Sequence, residues 1–286
     1  MPGSAHRTLR GTTEPATAGR TQPARAFPVT DHRLIQISDI HLSSDDLEFA
    51  GARPRDNLVA GLELLGEVDL APDMLVLTGD LANTGDPLCY QDLAEIMHRA
   101  AESLGAVVVY VPGNHDDRPE FRRHLLGQPP DRAPINQVHW IDGLRVVLLD
   151  SVVIGQEHGE LAKETLAFLR DAVAEPAADG TVLAFHHPPI PSPVEPMAEI
   201  MLHHGDRLAE VLVGTDVRLI ISGHNHHEEL GALGPVPVWV SPATAYRMDI
   251  LSREAVHALP GCALSQIDLT PAGVTVNVIH VPVGTP

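Results

Sequence analysis

The sequence predicts an α/β fold in which sheets are covered by helices. Three observations carry that expectation. Short apolar runs of strand length alternate with stretches of helical period from about residue 34 to 222. From Val236 onward the pattern turns to strands alone. Five of the apolar runs stop at an Asp, Asn or His, most of them beside a Gly or Pro that ends the strand abruptly.

Taken in order, residues 34–38 form an apolar strand leading into Asp39-Ile40-His41. Residues 55–68 carry Leu58, Val59, Leu62 and Leu65 at helical spacing, and 74–77 are a second strand, ending in Thr78-Gly79-Asp80-Leu81. A helix over 86–104 is closed by Gly105, the glycine position just past a helix end. The β-branched run 106–111 reads as a buried strand, and Pro112-Gly113 stop it in front of Asn114-His115-Asp116. A helix through Leu126 and a Pro-rich loop follow, then a strand over 145–149, a helix over 160–173 and a strand over 181–185 that runs into His186-His187-Pro188-Pro189. Residues 206–213 are helical, and 218–222 are a strand ending in Gly223-His224-Asn225-His226. Strands over 236–241, 263–269 and 274–281 complete the pattern.

The bulk numbers exclude several classes. With 286 residues, 44% hydrophobic and 20% charged, the chain can bury a sizeable core. Residues 1–30, rich in Thr, Ala, Pro and Arg without apolar periodicity, read as a disordered tail, and 31–286 as one domain. The tail is Arg-rich and acid-poor like a transit peptide, but it lacks the apolar segment of a secretory signal. No apolar run approaches the length of a membrane span, so a soluble, cytoplasmic protein is expected. A formal charge of −19 argues against a duplex nucleic-acid partner. Lys163 is the only lysine, which makes a P-loop or other lysine-dependent chemistry improbable. Cys89 and Cys262 lie far apart and outside any CxxC pair, so they read as reduced, buried thiols.

The five strand ends carry Asp39 and His41, Asp80, Asn114 with His115, His186, and His224 with His226. Carboxyl ends of strands are where α/β sheets assemble their sites. Residues two apart in an extended chain point the same way, so Asp39/His41 and His224/His226 can each offer two ligand atoms together if the extended geometry continues past the strand. Imidazole nitrogen with carboxylate or amide oxygen, and no thiolate, suits manganese, iron or zinc. Even with one of the eight set aside, such a set exceeds what one ion needs and suits two ions sharing a carboxylate, about 3.5 to 4 Å apart. Two divalent cations against Asp39 and Asp80 leave formal positive charge, which a bound hydroxide and a phosphodiester monoanion would balance.

Each residue has an ordinary reading by itself. Asp39 could cap a helix or a turn, Asp80 and Asn114 could be turn residues after glycine, and the His-rich stretches could be loop or surface clusters. Only their joint recurrence at strand ends argues otherwise. His98, His124, His203 and His204 fall in or beside helical patterns and read as surface or capping residues, His139, His257 and His280 as structural, and His187 and Asp116 as supports for ligands.

Asp39-x-His41, Gly79-Asp80, Gly113-Asn114-His115-Asp116, His186 and Gly223-His224-x-His226, in that order, resemble the motifs of the calcineurin-like metallophosphoesterase superfamily over residues 34–282. Within it the sequence is similar to bacterial class III cyclic nucleotide phosphodiesterases, on Ile37-Ser38-Asp39, Thr78-Gly79-Asp80-Leu81-Ala82, Gly113-Asn114-His115-Asp116-Asp117, His158-Gly159-Glu160 and His186-His187-Pro188-Pro189. The resemblance implies a sandwich of two mixed β-sheets flanked by helices. It implies two metal ions, iron and manganese with zinc as the alternative, one held by Asp39, His41, Asp80 and His226, the other by Asp80, Asn114, His186 and His224. It makes His115 the non-ligand catalytic histidine, places the loop around His158 near the substrate, and implies a homodimer. The implied activity is hydrolysis of a small-molecule phosphodiester by metal-activated hydroxide, 3',5'-cyclic AMP giving 5'-AMP. A broader activity on 2',3'-cyclic nucleotides or glycerophosphodiesters and a catalytically silent metal-binding scaffold are the competing readings. Asn83 stands where relatives can carry an acidic residue, and His227 where an aromatic can follow the last ligand.

Overall fold

The structure is a computed structural model that describes residues 32–282 apart from 46, 47, 49, 50, 52, 69 and 253–256. The tail expected over residues 1–30 lies outside the described residues. In chain order the elements are β1 (His32–Ile37), α1 (Pro54–Glu67), β2 (Met74–Thr78), α2 (Pro87–Leu104), β3 (Val107–Val111), α3 (Arg118–Leu125), β4 (Gln137–Ile141), β5 (Leu144–Leu148), β6 (Gly159–Glu160), α4 (Lys163–Ala172) and β7 (Thr181–Ala184). A single 3₁₀ turn (Glu195–Met197) is followed by β8 (Leu202–His203), α5 (Gly205–Leu212), β9 (Val217–Ser222), β10 (Glu229–Leu233), β11 (Val236–Val240), β12 (Arg247–Met248), β13 (Ala258–Leu259), β14 (Cys262–Thr270) and β15 (Gly273–Val281).

Two sheets form the body, with strand orders β15-β14-β1-β2-β3 and β10-β11-β9-β7-β5-β4. β1, β2 and β3 are parallel, as are β5, β7, β9 and β11, while β14, β15, β4 and β10 join antiparallel. Strand alternation sorts the apolar side chains into layers. Leu34, Met74 and Val76 face Val146, Leu148, Val182 and Ile221 between the sheets. Ile35, Ile37, Leu75 and Leu77 point the other way, onto Leu58, Leu62, Leu93 and Met97 of α1 and α2. On the second sheet Val147, Leu183 and Ile220 pack outward on Leu166, Leu169, Leu208 and Leu212 of α4 and α5. Helix, sheet, sheet and helix therefore stack in that order, and central strands buried on both faces explain their continuous apolar runs.

Local chemistry sets the helix ends. Asp86 caps α2, accepting from Leu88 N, and Gly105 closes it in the left-handed region at φ 68°. Asp117 caps α3, accepting from Glu120 N. Two edge strands, β4 and β10, go beyond the expected elements, each the outer arm of a hairpin. The Asp142-Gly143 turn of the β4–β5 hairpin, with Asp142 at φ 48°, is a signal that could have located β4. α4 starts three residues later than its periodicity suggests because Gly159 and Glu160 pair in parallel with Leu202 and His203.

The chains leaving β1 and β2 pair again beyond the strand ends. Asp39 N donates to Gly79 O at 3.1 Å, His41 N to Asp80 O at 2.9 Å, Leu42 N to Leu81 O at 3.0 Å, and Asn83 N to Leu42 O at 2.8 Å. That second, short ladder carries three of the side chains singled out by sequence.

Candidate metal centre

All eight residues singled out at the strand ends converge on one rim of the sandwich. Asp39 and His41 leave β1, Asp80 leaves β2, Asn114 and His115 leave β3, His186 follows β7, and His224 and His226 follow β9. Asp39, His41, Asp80, His186, His224 and His226 are buried.

The backbone that aims them differs from the expected extended one. Asp39 (φ 52°), His41 (φ 50°), Asp80 (φ 52°), His224 (φ 73°) and His226 (φ 53°) are all left-handed. Seven non-glycine residues among those described have positive φ, and five of them are these candidates. Such a conformation is uncommon outside Gly, Asn, Asp and His and gathers at functional sites. Alternate residues in each pair still project together, but through a repeated backbone kink rather than a pleat. Close approach explains two motif glycines: a Cβ on Gly79 would run into the His186 ring, and one on Gly113 into Asp80 Oδ1.

Two groups of ligand atoms share Asp80. On one side His41 Nε2 lies 3.1 Å from His226 Nε2, His226 Nε2 3.5 Å from Asp39 Oδ1, and His41 Nε2 3.6 Å from Asp80 Oδ2. On the other, His186 Nε2 lies 3.4 Å from the same Asp80 Oδ2, 3.1 Å from Asn114 Oδ1 and 3.2 Å from His224 Nδ1. Asp80 Oδ1 instead accepts from His115 N at 3.0 Å, which fixes the carboxylate plane.

The outer ring nitrogens define the tautomers. His41 Nδ1 donates to Asn83 Oδ1 (3.3 Å), His226 Nδ1 to Tyr246 O (3.2 Å) and His186 Nδ1 to Thr78 O (2.8 Å). In a neutral ring each inner nitrogen is then a lone pair facing other acceptors, and only a proton on His186 Nε2 relieves that crowding without a cation. A set of acceptors aimed at one another is unfavourable unless a cation stands among them. Ligand atoms about 2.1 Å from an ion are separated by about 3.0 to 3.4 Å between octahedral and tetrahedral angles. The spacings of 3.1 to 3.6 Å match that requirement, so the residues present fit metal ions.

The protonation balance follows from burial and mutual charge. Burial pushes Asp39 up to about 7, with Asp80 adding to the rise and His186 opposing it. Asp80 resists the upward push of its own burial and is held well below the usual carboxylate range by His186 and His41. Burial would depress His186, but Asp80 and Asp39 raise it to about 9. Burial lowers His41 to about 4 and His224 to about 3, leaving both neutral. Binding a cation displaces the protons held by Asp39 and His186.

His115 differs from the ligand set. Its side chain is 41% exposed, its ring meets His41 edge-on at 4.8 Å, and its Nε2 is 4.0 Å from Asp80 Oδ2. Nδ1 donates to Asn83 O at 2.7 Å, which leaves Nε2 facing the opening over the centre. Asn83 thus holds His41 through its amide and His115 through its carbonyl, a double role that its sequence position did not disclose. Tyr246 was also missed; its carbonyl orients His226 and its ring lies 4.2 Å from that imidazole.

Of the two residues expected to support ligands, Asp116 ties loops together, whereas His187 lies within reach of His186 and His224 and bonds to neither. Asp116 accepts from Gly113 N, Leu81 N, Ala82 N and Tyr90 OH, tying the ligand loops after β2 and β3 together. Burial and Asp80 push it up to about 6. His187 has both nitrogens engaged, with Ser151 Oγ (2.8 Å) and Glu157 O (3.1 Å). His227 Nδ1 donates to Asn225 O within its own loop. His158 stacks on His203 at 4.1 Å, and His98 and His124 meet Glu102 and Glu120 on their own helices.

Residues 32–228 match the sequence model of the calcineurin-like phosphoesterase family. The chain belongs to that family. A cAMP/cGMP dual specificity phosphodiesterase of Mycobacterium tuberculosis is 43% identical over 228 residues, covering 79% of this chain and 72% of that protein. The 3',5'-cyclic adenosine monophosphate phosphodiesterase CpdA of Escherichia coli is 32% identical over 198 residues, covering 68% of this chain and 70% of that protein. Among solved structures, a dimetal phosphatase from Danio rerio superposes with a TM-score of 0.60 at 14% identity, covering 90% of this chain and 100% of that one. The last likeness shows that this calcineurin-like phosphoesterase has the fold of the family, an α/β arrangement of mixed sheets flanked by helices. No helix among the described residues is long and apolar enough to cross a membrane.

Proposed function

We propose that this calcineurin-like phosphoesterase is a dinuclear metal-dependent phosphodiesterase that hydrolyses 3',5'-cyclic nucleotides, cyclic AMP giving 5'-AMP. The carrying observation is Asp80 Oδ2 standing between the His41 side and the His186 side of one ligand cluster, 3.6 and 3.4 Å from the two imidazoles. Asp39, His41, Asp80 and His226 hold one ion in this reading, and Asp80, Asn114, His186 and His224 the other. The names of the two relatives, both cyclic nucleotide phosphodiesterases, support the substrate. Iron with manganese, or zinc, suits the nitrogen and oxygen ligands.

Bound there, divalent cations would supply Lewis-acid charge for the phosphoryl oxygens and acidify a water. The chain's own residues do the rest. His115, protonated at Nε2, donates to a phosphoryl oxygen or gives that proton to the departing alkoxide, while Asn83 O keeps Nδ1–H in place. Gln36, Ser38 and Thr78 hydrogen-bond one another beneath the rim and hold the ligand loops from below. A substrate of this class lies inside cells, so a cytoplasmic enzyme is part of the reading, as is the homodimer that the family likeness implies, which sedimentation of the purified chain tests. The deciding experiment is metal analysis combined with kcat/KM for cyclic AMP, cyclic GMP, 2',3'-cyclic nucleotides and glycerophosphodiesters. Two ions per chain and a clear preference for 3',5'-cyclic nucleotides are expected. Equal efficiency on glycerophosphodiesters would replace the reading with a broad phosphodiesterase, and a metal-loaded protein without turnover would make it a scaffold.

A further inference from the structure

A cavity of about 230 Å³ opens beside the metal centre, lined by Asn114 and His115 together with Arg132, Val152 and Ile154. Arg132 and Ile154 also line a second hollow of about 530 Å³. Both are exposed, Ile154 to 53%, which is unusual for so large an apolar side chain.

The loop that presents Arg132 is pinned by its backbone. Arg118, buried and paired to both oxygens of Asp150 (2.7 and 2.9 Å), donates Nη1 to Arg132 O at 3.1 Å and Nη2 to Val152 O at 2.7 Å. Arg122 Nη2 donates to Ala133 O and Pro134 O, and Ala133 N to Asp131 Oδ1. One buried arginine therefore ties the segment of Arg132 to the one that leads to Ile154. The Arg132 guanidinium itself has no side-chain partner among the described residues. The carboxylates lining the same cavity are already engaged, Asp116 by four donors and Asp117 as the cap of α3. A free planar cation and an exposed branched apolar side chain lining the same cavity, on a mount pinned by Arg118 next to the reacting centre, suit a flat heteroaromatic ring. Guanidinium planes stack on such rings, and a lysine ammonium does not.

We propose that Arg132 and Ile154 form a nucleobase subsite, holding the purine of a nucleotide whose phosphate lies at the metal centre. This rests on the nucleotide substrate proposed above, and two measurements separate the two statements. The first is binding to the metal-loaded enzyme of 5'-AMP against ribose 5-phosphate, which has the same phosphate and sugar without a base. The wild type is expected to favour 5'-AMP by about tenfold, from a stacking contact on the order of 1–2 kcal/mol. Arg132→Ala and Ile154→Ser should each remove most of that ratio, and Arg132→Lys should not restore it. The second is the ratio of kcat/KM for cyclic AMP to that for glycerophosphoethanolamine, which should fall through KM in the same variants. No preference for 5'-AMP in the wild type, or a preference that survives Arg132→Ala, would overturn the subsite. Full rescue by Arg132→Lys would also overturn it, assigning the contact to phosphate charge. A base-dependent affinity lost in Arg132→Ala, in an enzyme that does not hydrolyse cyclic nucleotides, would keep the subsite and remove the proposed reaction.

Discussion

The two ends of the sandwich handle buried polar groups in opposite ways. At the end away from the ligand rim two buried side chains meet carboxylates. Arg145 donates to Thr181 Oγ1 (2.9 Å), Glu175 O (2.8 Å) and Asp216 Oδ1 (2.8 Å), and His32 Nε2 meets Asp179 Oδ2 at 2.9 Å. At the ligand rim, inner imidazole nitrogens face one another and two buried carboxylates, and the one counter-charge comes from a proton on His186 rather than from a lysine or arginine pair. The first end pairs these groups within the polypeptide. The second is a set of acceptors that suits cations from outside the chain, which would put stability and function at opposite ends of the same strands.

Breaking each end should give different signatures. The largest effect is expected from Asp80→Ala, which removes the carboxylate shared by both ligand groups: metal content by elemental analysis should drop for both ions, and diester turnover should fall by about four orders of magnitude or more. Unchanged metal content in that variant would contradict the shared role. His115→Ala should lower kcat by roughly 10²- to 10⁴-fold while metal content stays that of the wild type. At the other end, Arg145→Ala leaves Asp216 buried beside Thr181 without its cation, and chemical denaturation should show a loss of about 3–5 kcal/mol with metal stoichiometry intact. Smaller is Asn83→Ala, which releases the outer nitrogen of His41; titration with manganese should show affinity weaker by about 10- to 100-fold.

The smallest effect sharpens the contrast through pH. In protein stripped of cations, Asp39 and His186, raised to about 7 and about 9, bind protons more tightly than in the unfolded chain. Their contribution is full below the ordinary values of 3.8 and 6.5 and is lost as pH rises through about 7 and then about 9. His41 and His224 are lowered, so their effect lies below about 6.5, outside that window. Unfolding free energy of the stripped protein should therefore decline between about pH 7.5 and 9.5, by on the order of 1–2 kcal/mol. Metal affinity should rise over the same range, because the cations compete for the same positions. Parallel slopes in the two measurements would refute this account.

Much of this was legible in the sequence because parallel strands buried on both faces are written as unbroken apolar runs, and each run ends where a Gly, Pro or polar residue must appear. The ligand positions stood out for that reason. What stayed hidden depends on backbone direction or on contacts distant in sequence. The expectation that Asp39 and His41 continue an extended strand overlooked the ladder to Gly79, Asp80 and Leu81, which left-handed turns make possible. Asn83 gave no periodic signal, since its work is done by one amide oxygen and one carbonyl. The edge strands β4 and β10 are half-exposed and short, so their alternation resembles a loop.

The short ladder beyond β1 and β2 has one further consequence. Since main-chain amides already set the separation of Asp39, His41 and Asp80, loading does not have to organise these loops, and little affinity is lost to ordering them. Such a cradle would accept transition metals of similar radius without reshaping, and discrimination among them would then fall to cellular supply more than to fit. The amides of His41, Leu42 and Asn83 should then exchange with deuterium slowly whether or not ions are present.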